Sequence, residues 1–287
     1  MLRRKLTNSF VTVLVSFTFL LALLPLISLI WTALSAGLSR FDATFFSSSM
    51  RNVVGEGGGA LHAIIGTLEV TLLATLISVP IGLLAAIYLV EYGRGRLAKA
   101  VTFFVDVMTG IPSIVAGLFA FALFSIIFGP SIRMGFAGSV ALSVLMIPVV
   151  VRTGEEMLKL VPNELREASF ALGIPKWRTI LKVVIPTAFT GLITGVMLAI
   201  ARVIGETAPL LIVAGFTQSM NYNPFDDRMM TLPVFVYYSY SNQGTNAEAY
   251  IDRAWAGALT LIVIVMVLNL GARLISTLFS KNTRSAR

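Results

Sequence analysis

Only 13% of the 287 residues are charged while 56% are hydrophobic, and the mean hydropathy is +0.87. Soluble domains carry about a quarter charged residues, so this composition excludes an ordinary soluble domain and indicates an integral membrane protein. The absence of cysteine excludes disulfides and thiolate metal sites, the single histidine (His62) builds no histidine cluster, and without a Gly-Lys dipeptide there is no P-loop.

Six apolar runs are long enough for a ~30 Å hydrocarbon core: 10–35, 66–90, 101–128, 136–151, 188–213 and 254–279. Backbone groups find no water in lipid, so each run is expected to be a helix. The first follows Arg3, Arg4 and Lys5. It exceeds the roughly 7–15 apolar residues of a signal peptide, so it is read as an uncleaved span starting in the cytoplasm. Six spans then put both termini inside. Fifteen basic residues fall on that side (3, 4, 5, 94, 96, 99, 152, 159, 166, 176, 178, 182, 281, 284 and 287) and five outside (40, 51, 133, 228 and 253). That asymmetry fits the positive-inside rule. It also accounts for the net charge of +8 as anchoring to membrane lipid, with no nucleic acid partner required.

The run Gly55-Glu56-Gly57-Gly58-Gly59 reads as a flexible linker. It divides an N-terminal unit, 1–60, from a five-helix membrane domain, 61–280, which includes a cytoplasmic loop at 152–187. A basic cytoplasmic tail follows at 281–287. The first helix is expected to be peripheral to the remaining bundle. Pro80 and Gly110-Ile111-Pro112-Ser113 interrupt the second and third spans, as broken helices beside transport paths do and as simple packing also produces. Gly191 and Gly195 permit close helix contact in span five.

The 152–186 stretch is polar between two apolar spans. Pro162 suits a first helical turn and Asn163 or a neighbour a cap; Leu165, Ala168 and Leu172 share one helical face; Gly173 stands where a C′ glycine ends a helix; and Pro175 begins another. A rigid knob is expected, one able to transmit a push, although an ordinary amphipathic loop has a similar pattern. Glu167 is free to pair with a basic residue nearby or on a partner. In span five, Arg202 and Glu206 are spaced to meet on one helical face. An arginine at mid-membrane is expensive, so the pair either lines a substrate path or locks two helices. Arg152 at the inner end of span four lines such a path or snorkels to the interface. Asp106 and Glu69 are the other acidic candidates. The polar and aromatic loop at 214–253 either docks an external partner or seals the bundle. A guanidinium fork suits tetrahedral oxyanions, without choosing among phosphate, sulfate and molybdate.

The set Glu167-Ala168-Ser169, Gly173 and Val183-x-Ile185-Pro186 resembles the EAA loop of ABC importer permeases, with Ser169, Val183 and Ile185 as mild departures. Residues 109–118 (TGIPSIVAGL), 152–156 (RTGEE) and 201–210 (ARVIGETAPL) resemble the permease subunits of bacterial phosphate ABC importers, the PstA family. The likeness runs from the second span to the last. It implies an all-α type I importer fold of six transmembrane helices in the bacterial inner membrane. It implies a PstC-like permease partner, two PstB-like ATPase subunits, a PstS-like phosphate-binding protein outside, and phosphate as cargo. By the resemblance, the loop docks into the ATPase through Glu167, Ala168, Ser169, Leu172 and Gly173, and Arg152 and Arg202 serve phosphate passage, with Glu206 beside them. No cofactor is implied, and ATP hydrolysis falls to a separate chain. A non-transporting membrane scaffold is the reading from a different class.

Overall fold

The computed structural model describes residues 2–244 and 246–284, which form helices and connecting turns without strands. In order these are α1 (Leu2–Gly37), α2 (Ala43–Ser47), α3 (Leu61–Ile87), α4 (Gly95–Thr109), α5 (Ser113–Phe128), α6 (Gly135–Lys159), α7 (Asn163–Ala171), α8 (Lys176–Thr179), α9 (Ile185–Val203), α10 (Ala208–Val213), α11 (Leu232–Ser241) and α12 (Ala247–Arg284). π-helical turns at Tyr88–Tyr92 and Ile180–Val184 continue α3 and lead into α9. Pro186 contributes no N–H just after the second of these. Five described helices are long and apolar enough to cross a bilayer, and α4 with α5 makes a sixth span only as a pair bent by 109°. The basic tail expected at 281–287 reaches beyond the described residues, since 285–287 lie outside them.

Helices α3 and α6 form the centre of the bundle, and their seam is built from small residues. A Cβ on Gly82 would stand 2.7 Å from Val150 Cγ1, and one on Gly154 would stand 2.8 Å from Ala86 Cβ. Lipid tails are as apolar as leucine, so close backbone approach rather than hydrophobic exclusion holds such a pair. Helix α9 packs on the other side of α6 through Gly191 against Met157 and Gly195 against Thr153, as the spacing of the two glycines predicts. Helix α1 leaves its apolar length open and runs along α12, where Gly37 meets the Trp255 carbonyl and Leu259. Its peripheral position agrees with expectation.

The break expected at Gly110-Ile111-Pro112-Ser113 is present: α4 ends at Thr109, and Pro112, extended at ψ 138°, redirects the chain into α5. Three expectations need correction. Span five is also broken. Helix α9 ends at Val203, and four residues separate it from α10. The Gly-rich run is a packed turn rather than a linker. Gly55 and Gly57 accept hydrogen bonds from Arg253 Nη1 at 2.6 and 2.9 Å, and the Gly59 α-carbon lies so close to α2 that a Cβ would be 2.4 Å from the Phe45 carbonyl oxygen. Finally, 214–253 is more than a surface loop. Met229, Met230, Leu232, Val234 and Phe235 are buried, and Leu232 N–H donates to Thr67 Oγ1 in α3 at 2.7 Å.

Opposite ends of the bundle serve as landmarks. The knob end carries α7 and the C-terminal ends of α3 and α6. The far end carries the Gly55–Gly59 turn, the start of α6 and the end of α10, where Met134 N–H donates to the Val213 carbonyl at 3.0 Å.

Candidate functional site

The break after α9 has a local cause. Gly205 is a weak helix former, and Pro209 has no N–H to return to the Gly205 carbonyl. Glu206 N–H instead closes a tight turn onto Val203 O at 3.1 Å, and Leu211 N–H onto Thr207 O at 2.9 Å opens α10. Pro209 then nests on α5, where a Cβ on Gly117 would lie 2.6 Å from Pro209 Cα. Arg202 therefore sits on the last turn of a helix, exposed on this chain's surface, with Gly205 open beside it. The i,i+4 contact anticipated between Arg202 and Glu206 is not made, because the helix that would carry it ends first. Among the described residues neither side chain has an ion-pair partner within 4 Å.

Arg152 is differently placed. It is half-buried on α6, which continues as helix to Lys159 instead of becoming loop at 152. Its Nη1 donates to Glu155 Oε2 at 2.9 Å, and its Nη2 to Asp106 Oδ1 of α4. Lys159 Nζ approaches the same Glu155 oxygen at 3.8 Å. These four groups line a cavity of about 510 Å³ together with Lys99 and Thr102. Asp106 is thus partnered, and Glu155 is a member of the cluster that the sequence did not single out. Glu69 on α3 is half-buried, with Oε2 enclosed and unpartnered. Arg152 and Arg202 are not brought together. Thr153 touches Gly195, and seven residues at 1.5 Å rise place Arg202 about 10 Å further along α9.

At the knob, α7 ends as the sequence predicts. Gly173 has φ +73°; its N–H donates to Phe170 O at 2.9 Å and Ile174 N–H to Ser169 O at 3.2 Å, the paired bonds of a Schellman motif. Pro162 and Pro175 stand just before α7 and α8, and neither helix has a side-chain cap. Leu165 and Ala168 are exposed and Leu172 is 79% exposed, so an open small-and-apolar face is presented. Glu167 is exposed and forms no ion pair among the described residues. Ser169 does not share that face. It is buried, with Oγ 2.8 Å from Thr179 Oγ1, and ties α7 to α8. Its hydroxyl braces the knob internally.

Two residues absent from the sequence-level site hold this knob to the membrane helices. Arg166 Nε and Nη2 donate to Glu91 Oε1 at 3.0 and 2.9 Å, and its remaining N–H groups bind the carbonyls of Val161 and Leu158 at 2.6 and 3.0 Å. Lys176 Nζ donates to the Glu91 carbonyl and lies 4.8 Å from the Tyr92 ring centroid. The π-helical turn at the end of α3 is thereby clamped to both helices of the knob. The sequence signal was a lone carboxylate, Glu91, at the end of an apolar run.

A helical membrane bundle with two broken spans and a braced knob at one end has the construction of an ABC importer permease. Residues 78–285 match the family described as "Binding-protein-dependent transport system inner membrane component". The chain is 44% identical to the phosphate transport system permease protein PstA 1 of Mycobacterium tuberculosis, over 99% of this chain and 92% of that one. It is 39% identical to the phosphate transport system permease protein PstA of Pasteurella multocida, over 94% and 95%. Solved permease structures share the fold. A bacterial alginate ABC transporter in complex with its periplasmic protein matches with a TM-score of 0.65 at 15% identity, over 94% of both chains. The inward-facing MetNI methionine ABC transporter matches at 0.59 and 22%, over 77% of this chain and 94% of that one. The chain belongs to the PstA family of phosphate transport system permeases, within the inner membrane components of binding-protein-dependent transport systems.

Proposed function

We propose that this chain is the permease subunit of an ATP-driven importer that moves inorganic phosphate inward across the bacterial inner membrane, with both termini in the cytoplasm. The reading is supported by the names of its relatives and by one geometric observation: Arg202 ends α9 at a helix break, exposed and without a carboxylate partner. A fixed guanidinium that is not neutralised internally is suited to offset the desolvation of a tetrahedral oxyanion. Glu206 lies across the break as a neighbour of opposite charge. Arg152 serves the same path nearer the knob, where Asp106 and Glu155 hold it in this conformation.

The path is completed by a PstC-like permease facing Arg202, and phosphate arrives from a PstS-like binding protein outside. Two PstB-like ATPases bind the knob end. The 163–173 segment, with Glu167, Ala168, Leu172 and Gly173 outward and Ser169 bracing it, carries their closure to α3 and α6 through Glu91 and Arg166. Replacing Arg202 with Gln in the assembled importer abolishes phosphate uptake into proteoliposomes while all subunits still copurify. Wild-type uptake by R202Q refutes the role of Arg202. Competition by sulfate or molybdate stronger than by phosphate reassigns the cargo.

A further inference from the structure

At the far end, two arginines that play no part in the site above converge on one glycine. Gly215 follows α10 with φ +81°, and its N–H closes onto Leu210 O at 3.1 Å. A Cβ built there would lie 3.3 Å from Arg133 Cβ and 3.3 Å from Arg228 Cγ, so the stems of both arginines flank the same α-carbon. Between them opens a cavity of about 400 Å³, walled also by Ser131, Leu211 and Phe216. Arg133 is held by two weak contacts, Nη1 to its neighbour's Ile132 carbonyl at 3.2 Å and Cζ over the Phe121 ring at 4.7 Å. Neither arginine has a carboxylate within ion-pair distance among the described residues. The nearest acid in sequence, Asp227, uses Oδ1 to accept from the Arg228 backbone N–H at 2.7 Å rather than from a guanidinium.

Two like charges beside one concave pocket repel each other unless something negative lies between them. Their forks suit a tetrahedral oxyanion, and Gly215 lets both stems approach where a side chain would hold them apart. The location is also consistent with a passage: the pocket touches Leu211 of α10, and α10 leads directly from the break that carries Arg202 and Glu206. We propose that Arg133 and Arg228 form a receiving station for a free oxyanion, inorganic phosphate being the first to test, on the side of Arg202 remote from the knob. The proposal rests on the transport reading for its purpose, but not for its binding chemistry.

The test uses the assembled importer. Phenylglyoxal labelling followed by peptide mass spectrometry is expected to show Arg133 and Arg228 protected by inorganic phosphate and not by chloride. Uptake by the R133Q/R228Q double variant is expected to fall about tenfold, and R133K/R228K to recover part of it, because lysine keeps the charge without the fork. R51Q, which removes another exposed far-end arginine, serves as the control and leaves uptake unchanged. Absence of phosphate protection overturns the proposal. So does a double-glutamine defect confined to capture of the external binding protein, which would assign the pair to a protein carboxylate. If the unsubstituted importer moves no phosphate while both arginines are still protected, the transport reading fails and the station stands.

Discussion

Arg166 and Glu91, 75 residues apart, are joined by two nitrogens donating to one carboxylate oxygen at 2.9 and 3.0 Å, both side chains nearly buried. This contact turns a short surface helix into an extension of α3. Breaking a buried pair by removing one partner costs about 3–5 kcal/mol, since the remaining charge is uncompensated. Glu91→Ala is therefore expected to loosen α7, read as faster hydrogen exchange over 163–171. ATP-driven uptake falls about tenfold, while Glu91→Gln, which keeps an acceptor oxygen, loses less. Unchanged exchange at α7 in the alanine variant removes Glu91 from the proposed coupling route.

Gly191 and Gly195 belong to one small-residue motif, yet they face different neighbours. A methyl at 191 meets the end of a flexible chain, Met157 Sδ at 2.4 Å, whereas one at 195 meets Thr153 at both Oγ1 (2.7 Å) and Cβ (2.8 Å). Thr153 is fixed by its bond to the Val149 carbonyl at 2.8 Å. Overpacking costs about 1–3 kcal/mol when neighbours must move. Gly195→Ala is expected to lower the melting temperature of the purified protein more than Gly191→Ala. Met157→Ala should rescue Gly191→Ala and leave Gly195→Ala unimproved.

These contrasts show which features can be read from a sequence. Spans were legible from apolar length, and the C′ role of Gly173 from local backbone chemistry, because each depends on adjacent residues. The clamps were not legible. Asp106 meets Arg152 across 46 positions and Glu91 meets Arg166 across 75, and no periodicity reports such pairings. The Arg202–Glu206 contact failed for a reason already present nearby. Helical i,i+4 spacing does not extend across Gly205 and up to Pro209, where the helix cannot continue unbroken. The inward turn of Ser169 onto Thr179 depends on tertiary packing, which the local motif does not report.

Asp106 and Glu155 together hold Arg152, and Asp106 comes from α4, the helix just before the 109° bend. Asp106→Asn removes one of the two carboxylates and leaves Glu155. Arg152 is then expected to react with phenylglyoxal several-fold faster, consistent with a partly exposed pair worth up to about 1 kcal/mol. An unchanged rate means that Glu155 alone fixes the guanidinium.

Arg253 poses the opposite problem, a fully buried guanidinium with no carboxylate among its partners. Nη1 donates to the Gly55 and Gly57 carbonyls, the Tyr250 ring lies 4.4 Å from Cζ, and Nε and Nη2 have no partner. Glycine is required on the other side of this contact: Gly55 and Gly57 have φ of +83° and +89°, which turn their carbonyls toward one nitrogen. Removing Arg253 leaves those two carbonyls without their shared donor and unties the half-buried turn from α12. Arg253→Ala is expected to expose 55–59 to limited proteolysis and to lower the melting temperature. Arg253→Lys restores a donor but lacks the guanidinium that lies over the Tyr250 ring, so it should recover only part of the loss. Proteolytic resistance at 55–59 in the alanine variant would mean that the turn is held by Gly59 against the Phe45 carbonyl, independently of α12.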